Sequence, residues 1–266
     1  MSMALAATDG WTVARRNLFK MARNPEMVIW STVSPIMFIV LFVYVFGSNI
    51  RTPGISYENF VMAGIFAQTV IFGSANTGVG LADDIQKGII DRFRSLPMAR
   101  SAVLVGRTTS DLVNNLAVMT VMIVVGLLVG WRTDASFLSV AAGIVLLLMF
   151  SYTFSWISAA IGLSVKSVEV ANSAGFIWMF PMTFISNIFI DITLLPTVFR
   201  VIAEWNPMSA LVAATRELFG NTSDQLPTSS AWPMENPIVA SLLWMVVILG
   251  IFVPLSIRQY KRAASR

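Results

Sequence analysis

Residues 24–46 read NPEMVIWSTVSPIMFIVLFVYVF, and from 27 to 46 this stretch carries no charge. A helix rises about 1.5 Å per residue, so a run of this length crosses a hydrocarbon core of about 30 Å. Its start is punctuated for a helix. Asn24 is a candidate N-cap, Pro25 suits the first helical position and Glu26 places an acid in the first turn. The run has no small-residue cleavage pattern after it, so it reads as a span that stays in the membrane and not as a secretory signal.

Five further uncharged runs follow, at about 60–82, 112–130, 137–165, 170–190 and 237–257. Of the 266 residues 56% are hydrophobic and 12% charged, and the charges cluster between the runs. The expected fold class is therefore an all-α integral membrane protein with six transmembrane helices, forming one domain over 1–266. Residues 11–23 hold Arg15, Arg16, Lys20 and Arg23 among Leu18, Phe19 and Met21, the pattern of an interfacial amphipathic helix.

Lysine and arginine distribute unevenly about these runs. Fourteen of the eighteen lie before the first run, in the 83–111 connection, at Lys166 or after the last run; Arg51, Arg132, Arg200 and Arg216 lie on the opposite side. Cytoplasmic flanks hold the excess of positive charge, which places both termini and the 83–111 connection in the cytoplasm. Beside apolar spans, the net charge of +4 is a topology signal and not the footprint of a nucleic-acid partner.

The 191–236 segment is external in this scheme yet has apolar periodicity. Leu195, Val198, Ile202 and Trp205 share one helical face, and Met208, Leu211, Val212 and Leu218 another, with Asn206-Pro207 between them. Two short helices dipping into the outer interface are expected, followed by a polar loop at 221–235. Backbone at that depth needs cover from protein or water.

Residues 83–100, DDIQKGIIDRFRSLPMAR, interleave charge with Ile89, Ile90, Phe93 and Leu96, so the segment can dock through an apolar face while its charges set register. A solvated loop that only fixes topology has the same spacing. With Gly88, Asp91-Arg92, Pro97 and the later Gly106-Arg107, the stretch resembles the cytosolic loop of ABC-2 type permeases, most closely the daunorubicin-resistance subfamily. Leu195-Pro196, Glu204-Trp205-Asn206-Pro207-Met208 and Arg216-Glu217-Leu218-Phe219-Gly220 are similar to the segment before the last span in that family. Many relatives carry a glutamate-rich run before the glycine, where this chain has Asp83, Asp84, Gln86 and Lys87.

The resemblance implies a type V exporter-like fold, with short re-entrant helices before the last span, in a bacterial plasma membrane. It implies two copies of a separate ATPase that use ATP and Mg, and pairing of the permease with itself or a related chain within membrane lipid. The coupling surface would comprise Arg15, Arg16, Lys20, Asp84, Lys87, Gly88, Asp91, Arg92, Arg94, Pro97 and Arg100. Trp205, Asn206 and Pro207 would form an outer gate. The family exports drugs, antibiotics and lipids; a lipid-linked glycan or a non-transporting scaffold role are the alternatives.

The absence of cysteine and histidine excludes disulfides, thiol nucleophiles, imidazole bases and the usual zinc ligands, so no catalytic or metal residue is expected. A phosphate-binding loop needs G-x-x-x-x-G-K-[ST]; Gly73 to Gly78 lacks the lysine and reads as helix packing, so no nucleotide cofactor is expected on this chain. Gly126 and Gly130 likewise read as a helix-packing pair, and Pro181 as a kink in the fifth run. No acid or base lies inside any uncharged run, which argues against a proton pathway. The spans instead carry Gln68, Asn76, Asn114, Asn115, Asn172, Phe176, Trp178, Met179, Phe180 and Asn187. Apart from Asn114 and Asn115, which open the third run, these form the candidate pathway for a large, mostly apolar solute.

Overall fold

The computed structural model describes residues 25–47, 50, 52–89, 100–227 and 229–263, and the described residues form helices and connections without a strand. The expected interfacial helix at 11–23 lies outside them. Helix α1, Pro25–Ile39, continues without a break into a π-helical stretch, Val40–Phe46. Then come α2 (Tyr57–Gln86), α3 (Arg100–Val129), α4 (Phe137–Ser164) and α5 (Val168–Phe184). A 3-10 turn at Ile192–Leu194 leads to the short α6 (Thr197–Glu204) and α7 (Pro207–Leu218), and one turn of helix, α8 (Trp232–Glu235), precedes α9 (Pro237–Ala263).

Four of these, α2, α3, α4 and α9, have the length and apolar character to cross a membrane. The stretch Ser31–Phe46 is apolar in character but shorter, and α5 has 17 residues. Local chemistry sets the starts. Ser56, Ser136 and Ser167 each accept a hydrogen bond from a backbone N–H three residues on, capping α2, α4 and α5. The α2 helix ends at Gly88, whose φ of +62° favours glycine and whose Cβ, if present, would meet nothing. Its contribution is therefore a turn in the backbone.

Helix α2 is the hub. It packs on α1, α3, α4, α5 and α7, and most of its residues are buried. Its mean hydropathy is 1.3, against 2.4, 2.1 and 2.7 for α3, α4 and α9, which expose far more of their surface. The order makes sense in lipid, where outer helices must dissolve in hydrocarbon while an inner helix gains more from small and amide side chains that allow close packing. At the α2–α4 crossing a Cβ on Gly78 would collide with the Ser158 carbonyl, and one on Gly162 with the Gly78 backbone. The Gly73–Gly78 string thus sits in helix packing. Gly126 also packs, against Met62 and Phe66, but Gly130 has φ +110° with nothing near its missing Cβ. Gly130 ends α3 and packs nothing, so the Gly126/Gly130 spacing marks one contact and one stop.

The two short helices behave differently. Residues Met208 to Val212 of α7 are buried, and the helix packs on α9, α4 and α2. Helix α6 exposes Val198, Phe199, Val201 and Ile202, with Trp205 beyond its end.

Candidate functional site

A cavity of about 430 Å³ lies between α1, α2, α3 and α5. Ser31, Ser34, Pro35 and Phe38 come from α1; Gln68, Thr69, Phe72, Gly73, Ala75 and Asn76 from α2; Asn114, Asn115 and Val118 from α3; Asn172, Phe176 and Phe180 from α5. Among the described residues no acid or base lines it.

Five of the eight expected pathway residues, Gln68, Asn76, Asn172, Phe176 and Phe180, meet here, and Asn114 and Asn115 join them. The other three go elsewhere: α5 turns Trp178 and Met179 away from the cavity, and Asn187 lies beyond the helix. Trp178 stacks on Phe154 of α4 with ring centroids 5.4 Å apart, and Met179 is fully buried in the core. Asn187 lies past the end of α5, where its backbone N–H donates to Ser209. Ser31, Ser34, Phe38 and Phe72 were missed as lining residues. A serine or phenylalanine in a transmembrane run has no sequence signature that separates a cavity wall from a helix contact.

The amides divide into two roles. Asn115 is a brace, donating through Nδ2 to Ser151 Oγ at 2.6 Å and to the Val70 carbonyl at 3.4 Å, while Ser151 Oγ itself donates to that carbonyl at 3.0 Å. Gly73 leaves the room Asn115 needs, since a Cβ there would collide with Asn115 Oδ1. Gln68 and Asn114 are both buried, and Gln68 Oε1 and Asn114 Oδ1 have no hydrogen-bond partner among the described residues. An unpaired buried acceptor costs about 1–3 kcal/mol. Both residues line the cavity, so a guest with hydroxyl or amine donors would satisfy these oxygens once the amide groups turn toward it. Phe72, Phe176 and Phe180 form the aromatic side, with centroid separations of 5.4–5.9 Å.

The α6–α7 hairpin lies at the end of the bundle where α2 begins. Asn206 is the joint: Nδ2 donates to the Met182 and Ile185 carbonyls at 2.7 and 2.6 Å, and Oδ1 accepts from Met208 N at 2.8 Å. One side chain thus closes the end of α5 and caps α7, where Pro207 takes the first helical position. Trp205 is 56% exposed and takes no part in this joint. Arg216 of α7, one of the sparse basic residues on its side, is buried. It donates from Nε to Phe60 O at 2.9 Å and from Nη2 to Asn187 O and Ile188 O at 2.6 and 3.2 Å, with its guanidinium 3.6 Å from the Phe60 ring centroid. Counting it in the charge distribution gave no hint of this role.

At the opposite end, among the expected coupling residues, Lys87 pairs with Asp83 at 2.7 Å on an exposed face and Gly88 ends α2. Asp84 is buried and points toward Arg107 of α3. Arg100 begins α3. Arg15, Arg16, Lys20, Asp91, Arg92, Arg94 and Pro97 lie outside the described residues.

Comparison with known proteins is consistent along the chain. A family model described as ABC-2 type transporter matches residues 8–219. The daunorubicin resistance ABC transporter permease protein DrrB1 of Streptomyces coeruleorubidus is 31% identical over 258 residues, covering 97% of this chain and 88% of that protein. The putative transport permease ycf38 of Porphyra purpurea is 22% identical over 79% of this chain and 73% of its own length. The O-antigen export system permease protein RfbA of Klebsiella pneumoniae is 24% identical over 73% of this chain and 72% of its own.

Proposed function

The chain belongs to the ABC-2 type transporter family as a multi-pass membrane permease, and from that premise we propose that it is the membrane subunit of an ATP-driven exporter of amphipathic, mostly apolar solutes. Two copies of a separate ATPase act on the 83–111 connection. The termini are cytoplasmic in a bacterial plasma membrane, and α1 with its π-helical extension and α5 complete a set of six spans. The α6–α7 hairpin is the re-entrant outer element. A second permease copy, identical or related, covers the side of the cavity where α5 exposes Asn172, Ser173, Phe176 and Phe180, since an amide facing hydrocarbon is unfavourable.

The observation that carries this reading is the uncharged cavity with two unpaired buried amide oxygens and a phenylalanine wall. It also weighs against the alternative suggested by the O-antigen permease. A lipid-linked glycan carries phosphate, and among the described residues no lysine or arginine lines the cavity to meet it.

The permease and its ATPase are to be reconstituted in vesicles with daunorubicin, the drug in the name of the 31% identical relative. Gln68→Leu/Asn114→Leu should raise the drug concentration for half-maximal ATPase stimulation by roughly tenfold, the loss of about one hydrogen bond's worth of affinity, with basal turnover unchanged. Unchanged stimulation would show that cargo does not use this cavity. Vesicles that hydrolyse ATP without moving any solute would favour the scaffold role.

Topology has its own test, clean because the chain has no cysteine. In intact cells a cysteine at Thr222 should react quickly with a membrane-impermeant maleimide. One at Leu211, fully buried in α7, should react at least about tenfold more slowly, since it reacts only through openings of the structure. Protection of Thr222 would reverse the orientation.

A further inference from the structure

Helices α2 and α3 both run beyond their uncharged segments, and the charged residues they carry past those segments turn toward each other. Arg107 of α3 places Nε 3.4 Å from Asp111 Oδ2 and Nη1 4.0 Å from Asp84 Oδ2. Its Nη2 donates to the Asn76 carbonyl at 3.2 Å, and Asp111 Oδ2 accepts from Thr77 Oγ1 at 2.6 Å. Asp84 and Thr77 are buried, and the Arg107 and Asp111 side chains are only 19% and 13% exposed. Helix α2 is shaped for the arrangement: a Cβ on Gly80 would collide with the guanidinium. Side-chain size is therefore restricted on α2 at the level where the arginine of α3 lies across it.

Three facts about this cluster bear on function. It joins α2 and α3 at the ends that the 83–111 connection links, with Asp84, Arg107 and Asp111 themselves part of that connection. It adjoins the cavity, because Asn76, whose carbonyl Arg107 grips, also lines the cavity. And a buried ion pair contributes little net stability, because desolvation cancels much of the attraction, which leaves fixing the arrangement of the helices that carry it as the role open to this one. A group this close to the interface regains water and headgroup partners once the helices part, so closed and open states can lie close in energy.

We propose that Arg107, with Asp84, Asp111 and Thr77, forms the gate at the 83–111 end of the cavity. Closed, the cluster holds α2 against α3 beneath Asn76. When the partner ATPase displaces the connection, the contacts from Arg107 to α2 break and the cavity opens on that side. These are positioning residues and touch no cargo. The proposal rests on the exporter reading for what moves the gate.

The test measures access to the cavity without ATPase or cargo, so its outcome is separable from that of the exporter reading. A single cysteine replacing Asn76 retains the backbone carbonyl that Arg107 grips, and its reaction with a membrane-impermeant thiol reagent is followed in vesicles of both orientations. From the side bearing the 83–111 connection, Arg107→Gln should raise the rate by about tenfold, the shift expected when a closed state loses its bias. Arg107→Lys, which keeps the charge, should raise it less than about threefold. Thr77→Val, which removes only one hydrogen bond and keeps the fold if Arg107→Gln does not, should fall between the parent and Arg107→Gln. From the opposite side all four rates should agree. Equal rates for the parent, Arg107→Gln and Thr77→Val, or an increase from both sides alike, would overturn the gate. An altered rate in a chain that proves not to export would leave the gate standing and remove the exporter.

Discussion

Protein carrying Gly162→Leu should barely accumulate in the membrane, and any that does should unfold in detergent roughly 10 °C below the parent. The reason is reciprocal. Gly162 faces the Gly78 backbone and Gly78 faces the Ser158 carbonyl, so neither position has a flexible side chain that could move aside. Overpacking costs about 1–3 kcal/mol where neighbours can adjust. Backbone against backbone puts this case at the top of that range, and each kilocalorie lowers the midpoint by roughly 2–4 °C in a chain of this size. Gly126→Ala is the control, since its Cβ would first meet the terminal methyl of Met62, which can rotate. That variant should stay within about 1 kcal/mol of the parent. Similar melting curves for Gly162→Leu and Gly126→Ala would mean that the α2–α4 crossing is not the close contact described.

The second large effect belongs to Arg216. Arg216→Met removes the donor for the carbonyls of Phe60, Asn187 and Ile188 together, and the ring contact with Phe60 as well. Each buried acceptor left unpaired costs about 1–3 kcal/mol, so a loss of roughly 3 kcal/mol or more is expected even if water replaces some partners. Arg216→Lys should recover only part of it, since one ammonium cannot reproduce the planar fork that serves two directions. Arg200→Met provides the contrast. Arg200 sits 3.9 Å from Glu204 with its side chain 41% exposed, and its removal should change stability by less than about 0.5 kcal/mol. Thermal unfolding of the three proteins side by side decides the matter, and equal losses for Arg216→Met and Arg200→Met would contradict the buried clamp.

The helical order was legible because hydrocarbon imposes a length on apolar runs and because Asn206-Pro207 separates the two short helices, whereas the caps at Ser136 and Ser167 and the stop at Gly88 went unread. The cavity was half legible. Amides such as Gln68, Asn114 and Asn172 stand out in apolar runs, yet a run alone does not say which face turns inward. Trp178 and Met179 lie beside Phe180 in sequence and turn to the core, while Phe72 carried no signal at all. The charged residues were the least legible. Asp84, Arg107, Asp111 and Arg216 fall at or beyond the ends of uncharged runs, where charge normally means water. Their inward orientation follows from α2 and α3 extending past those runs and from α7 packing inside the bundle, and both are tertiary facts.

The walls of the cavity come from α1, α2, α3 and α5, whereas α4, α7 and α9 contribute nothing to it while supplying much of the packing around α2. This division has an evolutionary consequence. Substitutions at Ser34, Phe72 or Phe176 can reshape the space offered to a solute without touching the Gly78–Gly162 crossing or the Arg216 clamp. Most random changes erode stability, and a lineage can explore new cargo only as far as its margin allows. Because lining residues such as these, unlike Gly73 and Asn115, stand apart from the contacts that hold the bundle, divergence in what is carried can proceed while the scaffold stays constant.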